Sequence, residues 1–374
     1  MLTRDRRIAA ACALAALATS GFAVLASIAP HGWSTSVLVR MADVEPLARL
    51  ASQSDPNFRF VSPGAHFDGV YFYAIARDPL ARGEAHELID RSAYRYGHVG
   101  YGWLAWLFSL GRGETVPGAL LTVNLFALAA AAFASSLISR DYGWTPWGGL
   151  AIAFSPGILY TVTVDTSEPL GVAAIALALL AWIRGRWGPA AVALVAACLI
   201  KEPFVVVPAS LALWEAIEWA RARRPSDLGR RAAALAAGPL AFAAWQVYLR
   251  ATFGELSFSG GREETTLLPF TGWWDTLDKA ATLGVGDFGA SQFGLAQVPL
   301  LVAAGGFVLL GVFLALRVRT PFDTLYLFLA VILFSLTWRG LLFPKDLIRH
   351  LAVPIAVAPA VFAAALRPPP RPAA

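Results

Sequence analysis

The chain has 374 residues, of which 57% are hydrophobic and 15% are charged. Ordinary soluble domains contain about 25% charged residues. The composition therefore excludes that class and indicates an integral membrane protein. The net charge of +5 comes from short basic clusters between apolar segments, a pattern typical of membrane-protein loops and not of a nucleic-acid-binding surface. The only cysteines, Cys12 and Cys198, both lie in apolar segments, which argues against a disulfide framework.

The N-terminus predicts an uncleaved signal anchor. The basic cluster Arg4-Asp5-Arg6-Arg7 precedes the apolar segment 8–29. This segment is longer than the apolar region of a secretory signal, which has about 7–15 residues. We therefore expect it to remain as the first membrane helix.

Further apolar segments follow along the chain and predict an all-α, polytopic transmembrane helix bundle of about ten spans. Residues 1–374 are expected to form one integral membrane domain. The segments 30–116 and 251–296 lie outside the spans, the first of them carrying juxtamembrane helices, and a proline-rich tail occupies 367–374. The predicted spans are 8–29, 117–138, 147–163, 169–183, 188–201, 203–219, 232–250, 297–316, 322–338 and 350–366.

Basic residues orient this bundle. Arginine clusters precede the first span, follow the second, fourth, sixth and eighth spans, and recur in the tail. With a cytoplasmic N-terminus, all of these clusters fall on the cytoplasmic side, in agreement with the positive-inside rule. The sequence therefore predicts cytoplasmic N- and C-termini and places 30–116, 251–296 and the other polar corners outside. The aromatic segment 99–110 is too short for a span and is expected to lie along the outer interface.

One carboxylate, Asp68, stands among aromatic residues shortly after the first span. Beside Tyr71 and Tyr73, it predicts a base that takes a proton from an acceptor hydroxyl while the rings contact a sugar. The alternative is structural, because an aspartate before an apolar periodic segment often caps a helix.

Asp165 and Glu168 form an acidic corner between the predicted spans 147–163 and 169–183. They are predicted to contact the substrate, either by orienting a hydroxyl or by binding a divalent cation such as Mg²⁺ or Mn²⁺. The same residues at a helix start would serve equally well as caps. None of the five histidines has the spacing of a zinc site, so no metal site is predicted through them.

Cations occupy two further outer corners. Lys201 and Glu202 either pair with each other or present a cation to a phosphate. Arg349 and His350 begin the last span, where an arginine suits a phosphate because it stays charged and binds two oxygens. The structural alternative is an interfacial anchor that reaches towards the headgroups.

The segment FDGVYFYAIA at 67–76 is similar to the W-D-G-x-W-Y-x-x-I-A element of mannosyltransferases, with Phe67 in place of the usual tryptophan. On this segment the chain resembles the GT-C superfamily of polytopic glycosyltransferases, which use polyprenyl-phosphate-linked sugars. With IDRSAYRYGH at 89–98, it also looks like a bacterial integral-membrane family linked to cell-surface glycopolymer formation.

The resemblance implies a role for most of the residues singled out above. Asp68 matches the outer-loop acid expected to activate the acceptor, and the acidic corner matches one that follows the third span in the family. Lys201-Glu202 is similar to a lysine-containing element near the outer end of a later span. Arg349 occupies the place of an arginine thought to engage the lipid phosphate.

These expectations describe an inverting glycosyltransferase of the bacterial plasma membrane with an extracytoplasmic active site. It would transfer a sugar such as mannose from a polyprenyl-phosphate donor to a cell-envelope glycan or glycopolymer. Two alternatives stand beside it: a transporter or flippase for a lipid-linked glycan, and a non-catalytic subunit of a glycopolymer assembly complex. Proline-interrupted spans fit a transporter, but the spans carry few midplane charges and show no inverted repeat.

Overall fold

The computed structural model describes residues 4–221, 226–259, 265–266, 268–282 and 294–367, and the regular elements within them are helices. The expected all-helical class is confirmed for this part of the chain. In chain order the α-helices are α1 Arg4–Ile28, α2 Ala48–Ser54, α3 Gly69–Arg77, α4 Ser92–Arg95, α5 Val99–Ser109, α6 Val116–Asp141, α7 Leu150–Ala153, α8 Pro156–Val162, α9 Glu168–Ile183, α10 Trp187–Ile200, α11 Val206–Ala220, α12 Leu228–Phe253, α13 Thr271–Thr282, α14 Gly294–Ala315, α15 Pro321–Phe334 and α16 Pro344–Leu366.

Within the described residues, six helical segments are long and apolar enough to cross a membrane, which supports the expected multi-pass membrane protein. They contain α1, α6, α11, α12, α14 and α16. Three further apolar helices, α9, α10 and α15, have only 14 to 16 residues. Six of the ten predicted spans therefore meet the length and hydropathy of a full crossing.

The predicted span 147–163 is broken. It contains a short 3-10 turn and the helices α7 and α8, which have four and seven residues. Pro146 and Pro156 each stand in the first turn of one of these pieces. Because proline lacks an N–H and disfavours helical geometry in the residue before it, each proline starts a new helix. The predicted span is therefore formed of short pieces and not of one continuous helix.

The membrane helices pack in two groups joined by α11, which contacts α12 and α15, and by α16. Helix α6 packs against α1 and α9, and α10 packs against α9 and α12. Helices α14, α15 and α16 pack against one another, and α16 also contacts α8 and α9. Ala127, Ala131 and Ala134 on α6 are buried, and such small residues let helix backbones approach closely in a membrane.

The segment 30–116 has its own apolar core, built from α2, α3, α5 and the adjoining ends of α6 and α12. Helix α5 packs against α3 and α6, and the Tyr101 hydroxyl donates a 2.9 Å hydrogen bond to the Leu120 carbonyl oxygen. The last turn of α5 exposes Trp106, Leu107 and Phe108. Exposed apolar side chains on a short helix fit the expected position along the membrane interface.

Parts of two other predicted segments are described. Helix α13 lies within 251–296, and its Trp273 donates a 3.0 Å hydrogen bond to the Leu333 carbonyl oxygen of α15. The rest of that loop is described only in part, and residues 368–374 of the predicted tail lie outside the described residues.

Candidate active site

A cavity of about 440 Å³ lies where the starts of α3, α9 and α16 meet the corner between α10 and α11. One wall carries charged side chains. Another wall is apolar and comes mainly from α15 and α16, together with Phe204. The polar wall includes Asp68, Tyr71, Arg95, His98, Glu168, Lys201, Glu202, Arg339, Asp346, Arg349 and His350.

Asp68 stands directly before α3, and its side chain makes no capping hydrogen bond, so the capping explanation does not hold for this residue. Its position depends on Gly69. A Cβ atom added at Gly69 would lie 2.6 Å from the carbonyl oxygen of Val39 and 2.9 Å from that of Val164. The absence of a side chain therefore lets the start of α3 pack directly against the corner that leads to Glu168.

Arg349 joins the two acidic residues of the cavity. Its Nη1 atom lies 2.5 Å from Oδ2 of Asp68, and its Nε atom donates a 2.7 Å hydrogen bond to Oε1 of Glu168. The arginine side chain is 11% exposed and that of Glu168 is 2% exposed. A planar guanidinium suits this arrangement because it directs several N–H groups at fixed angles. The start of the last membrane helix is thereby tied to the starts of α3 and α9.

Lys201 supplies a second cation to the same carboxylate. Its Nζ atom donates a 2.6 Å hydrogen bond to Oε1 of Glu168. Glu202 accepts a hydrogen bond from the hydroxyl of Ser257 instead. These two side chains are adjacent in sequence but bond to different elements. Lys201 bonds to Glu168 at the start of α9, and Glu202 connects the α10–α11 corner to the segment after α12.

Arg95 is a third cation beside Asp68, which the sequence did not single out. Its Nη1 atom lies 3.6 Å from Oδ1 of Asp68, and its Nη2 atom lies 3.3 Å from Oδ2 of Asp90. The guanidinium also lies 3.5 Å from the ring centre of Tyr71, a cation–π contact. Tyr71 in turn lies within 3.4 Å of the His66 Nε2 atom. The predicted substrate-contacting Tyr71 therefore lines the cavity and also positions Arg95.

Burial and the nearby charges set the protonation states of Asp68 and His98 in the cavity. Burial raises the pKa of the Asp68 carboxyl, but the positive charges of Arg349 and Arg95 outweigh burial and lower this pKa to about 2. Burial, helped by the charge of Lys201, lowers the pKa of His98 to about 3. At neutral pH the cavity therefore presents an ionised Asp68 and a neutral His98.

Two residues that were expected to contact substrate lie elsewhere. Tyr73 is fully buried in the core of the segment 30–116, and its ring packs edge-on against Phe58 with 5.7 Å between ring centres. Five positions along a helix rotate a side chain by about 140° from its starting direction. Tyr73 therefore points away from the side of α3 that carries Asp68, so its position does not support substrate contact.

Asp165 is also fully buried, and it does not line the cavity. Both of its carboxylate oxygens lack a hydrogen-bond partner among the described residues. Burial raises the pKa of this carboxyl well above its usual range, against the opposing charge of Arg40. Its φ angle of 46° is in the left-handed region, where a residue other than glycine is strained. The N-cap of α9 is Ser167, without a side-chain capping bond.

The expected divalent cation does not fit the acidic corner. Glu168 already binds Lys201 and Arg349 through Oε1, whereas Asp165 is buried outside the cavity. In the part of the chain that the structure describes, no group of three or more His, Cys, Asp or Glu residues is arranged to hold a metal ion. We therefore derive no chemistry through a metal at these two carboxylates.

The sequence contained one signal for Arg95 and His98. Both belong to the aromatic and basic segment Tyr94–His98, which follows Asp68 in the chain after α3 and one loop. No family model matches the chain, and the curated proteins include no similar sequence. The functional assignment therefore depends on the residues of this cavity.

Proposed function

We propose that the chain is an inverting glycosyltransferase that transfers a sugar from a polyprenyl-phosphate donor to a hydroxyl of a cell-envelope glycan. The observation that carries this proposal is one cavity with two unlike walls. A carboxylate and three cations, Asp68 with Arg95, Lys201 and Arg349, line the same cavity as an aliphatic wall. A donor with a phosphate between a sugar and a long hydrocarbon chain needs both walls at the same site.

The apolar wall suits the hydrocarbon chain. Leu329, Ile332 and Leu333 of α15 line this wall together with Val353 and Pro354 of α16. Helix α16 is long and apolar enough to cross a membrane, and α15 is a shorter apolar helix, so a hydrocarbon chain in this cleft would leave the site towards lipid. Val353 also lines a second, apolar cavity of about 50 Å³ between α6, α9 and α16. Val353 thus borders both spaces.

The polar wall suits one phosphodiester. Five arginine or lysine residues and four acidic residues line the cavity, giving a net charge of +1. A polyprenyl phosphate bearing a sugar carries one negative charge, so its binding would neutralise the site. Arg349 is the best placed partner, because guanidinium binds two phosphate oxygens at once.

The reaction would proceed in one displacement. The acceptor oxygen attacks the anomeric carbon as its proton passes to the Asp68 carboxylate, and the bond between that carbon and the phosphate oxygen breaks. The electron pair leaves with the polyprenyl phosphate, whose added charge Arg349, Arg95 and Lys201 stabilise. A phosphate leaving group so stabilised needs no separate general acid.

Donor binding would also make Asp68 a better base. In the free protein its pKa of about 2 reflects ion pairs with Arg349 and Arg95. A phosphate that binds the same guanidinium groups competes with Asp68 for them, and the pKa of the carboxyl rises as these ion pairs weaken. The base would therefore gain strength when the donor is in place.

The location of the site within the membrane is part of the proposal. The candidate site lies at the start of α9, whereas Arg184 and Arg186 follow the end of that helix. Sixteen helical residues separate these ends by about 24 Å. Because arginine-rich ends favour the cytoplasm, we place the reaction at the extracytoplasmic face.

The direct test is sugar transfer by the purified protein in lipid nanodiscs, with polyprenyl-phosphate sugars as donors. Asp68→Asn removes the charge and keeps the shape, and it should lower the rate by about 10²–10⁴. Asp43→Asn is the matched control, because Asp43 is exposed on the same segment outside the cavity. Full transfer by Asp68→Asn would refute the role of Asp68 as base. Donor movement across the bilayer without transfer would instead indicate a flippase, and neither activity would indicate a non-catalytic subunit.

A further inference from the structure

A second charged cavity lies at the opposite end of the bundle. Its volume is about 480 Å³, and it opens where α1 begins, α6 ends and α9 turns into α10. Its lining is basic and apolar without a carboxylate. The lining residues are Arg6, Phe133, Leu137, Arg140, Arg184 and Arg186.

The α6 residues that line this cavity change from apolar to basic along one side of the helix. Phe133, Leu137 and Arg140 are four and then three positions apart, so they follow one another on the same face. Phe133 and Leu137 are apolar, and Arg140 stands in the last turn. An apolar groove that ends in cations at the tip of a membrane helix has the polarity profile of a phospholipid, from acyl chain to headgroup.

Asp141 preorganises two of the guanidinium groups. Its Oδ1 atom accepts a 2.9 Å hydrogen bond from Nε of Arg140, and its Oδ2 atom accepts a 2.7 Å bond from Nε of Arg184. One carboxylate cannot saturate two guanidinium groups, each of which carries five N–H donors. Together with Arg6 and Arg186, the group keeps a net charge of +3.

We propose that this cavity binds the phosphodiester headgroup of an anionic phospholipid, with the lipid's acyl chains along Phe133 and Leu137. The four arginines come from three separate places in the chain and line one cavity. Basic pockets between membrane helices are suited to lipid headgroups because several cations converge on one phosphate. This inference does not depend on the proposed transfer reaction, because it concerns the other end of the bundle.

The test uses the full chain, purified in detergent and depleted of lipid. Phosphatidylglycerol, phosphatidylcholine and inorganic phosphate are added separately, and bound lipid is counted by native mass spectrometry while Tm is followed. The test variant is Arg6→Gln/Arg186→Gln, since these two arginines are exposed and their replacement disturbs packing least. The control is Arg230→Gln/Arg317→Gln, which removes the same charge from exposed positions outside the cavity.

We expect phosphatidylglycerol to bind the wild type and the control equally and to raise their Tm. The test variant should bind it roughly 30-fold more weakly, about fivefold for each arginine removed. Asp68→Asn should bind it as the wild type does, which separates this result from the transfer assay. Equal binding of phosphatidylcholine, or equal loss in both double variants, would overturn the proposal. Equal stabilisation by inorganic phosphate would assign the cavity to free phosphate instead of lipid.

Discussion

Replacing Gly69 with alanine should move Asp68 without changing any charge in the site. The new Cβ atom would lie 2.6 Å and 2.9 Å from the carbonyl oxygens of Val39 and Val164. A relaxed contact needs about 3.5 Å. The backbone at the start of α3 and the backbone at Val39 and Val164 must therefore move apart by roughly 0.6–0.9 Å. Since both neighbours are backbone atoms, no side-chain rotation can relieve the contact.

This displacement acts on the geometry that the proposed chemistry needs. Val164 leads into the corner that carries Glu168, so the retreat separates Glu168 from Asp68 and stretches the bridge that Arg349 makes between them. A misplacement of about 1 Å can cost roughly 10²-fold in rate. Overpacking of this kind also destabilises a protein by about 1–3 kcal/mol. We therefore expect Gly69→Ala to fold, with a lower Tm and with kcat/KM reduced by roughly 30- to 100-fold.

The assay is sugar transfer in nanodiscs, with Tm measured on the same preparation. Gly64→Ala is the matched control, because nothing lies within 4 Å of a Cβ added there. The control should match the wild type in both measurements. If Gly69→Ala kept the kcat/KM of the control, the close approach of α3 to the acidic corner would have no part in the activity. A lower Tm with full activity would refute the reasoning in the same way.

Two further predictions concern the charges of the site. Arg349→Lys should lower kcat/KM by about 10²-fold, because one ammonium cannot replace the two nitrogens that bind Asp68 and Glu168, whereas the exposed Arg49→Lys should not change it. The kcat/KM profile, which reports groups in the free enzyme, should show no acid limb between pH 5 and 8, because the pKa of Asp68 is about 2. The stability that its ion pairs provide is present above the ordinary pKa of 3.8 and is lost as the pH falls towards 2. An acid limb near pH 6 that disappears in Asp68→Asn would contradict these ion pairs.

Most membrane helices could be predicted because their apolar segments are continuous. The exception at 147–163 shows what hydropathy does not measure: Pro146 and Pro156 interrupt the helix while the segment stays apolar. The short helices α9 and α10 were also predicted, although they have only 16 and 14 residues.

The candidate site was predictable in part. The positions of the arginine clusters predicted that Asp68, Glu168, Lys201 and Arg349 lie on the same side of the membrane. The structure brings these four residues together. Which helix ends touch depends on packing between distant segments, and hydropathy carries no information on it. Arg95 was missed for that reason, since its role follows only from its distance to Asp68.

Tyr73 and Asp165 lie outside the cavity for separate reasons. The direction of Tyr73 follows from helical geometry, because a helix that presents Asp68 and Tyr71 on one side turns Tyr73 to another. That signal was available in the spacing. The burial of Asp165 was not, because its left-handed φ of 46° turns the chain between α8 and α9 in a way that no sequence pattern indicated.

The charges of the cavity are themselves an argument for function. Taking an ion pair out of water is costly, and a well-packed apolar replacement is often as stable or more stable. Glu168 is nevertheless 2% exposed between two cations, at the start of a helix that packs within the membrane bundle. Fold stability alone does not require Lys201, Arg349 and Glu168 to meet there. A cavity that binds an anion beside a carboxylate base, in contrast, requires opposite charges in one place. Asp68 meets this requirement, because it forms an ion pair with the guanidinium group of Arg349.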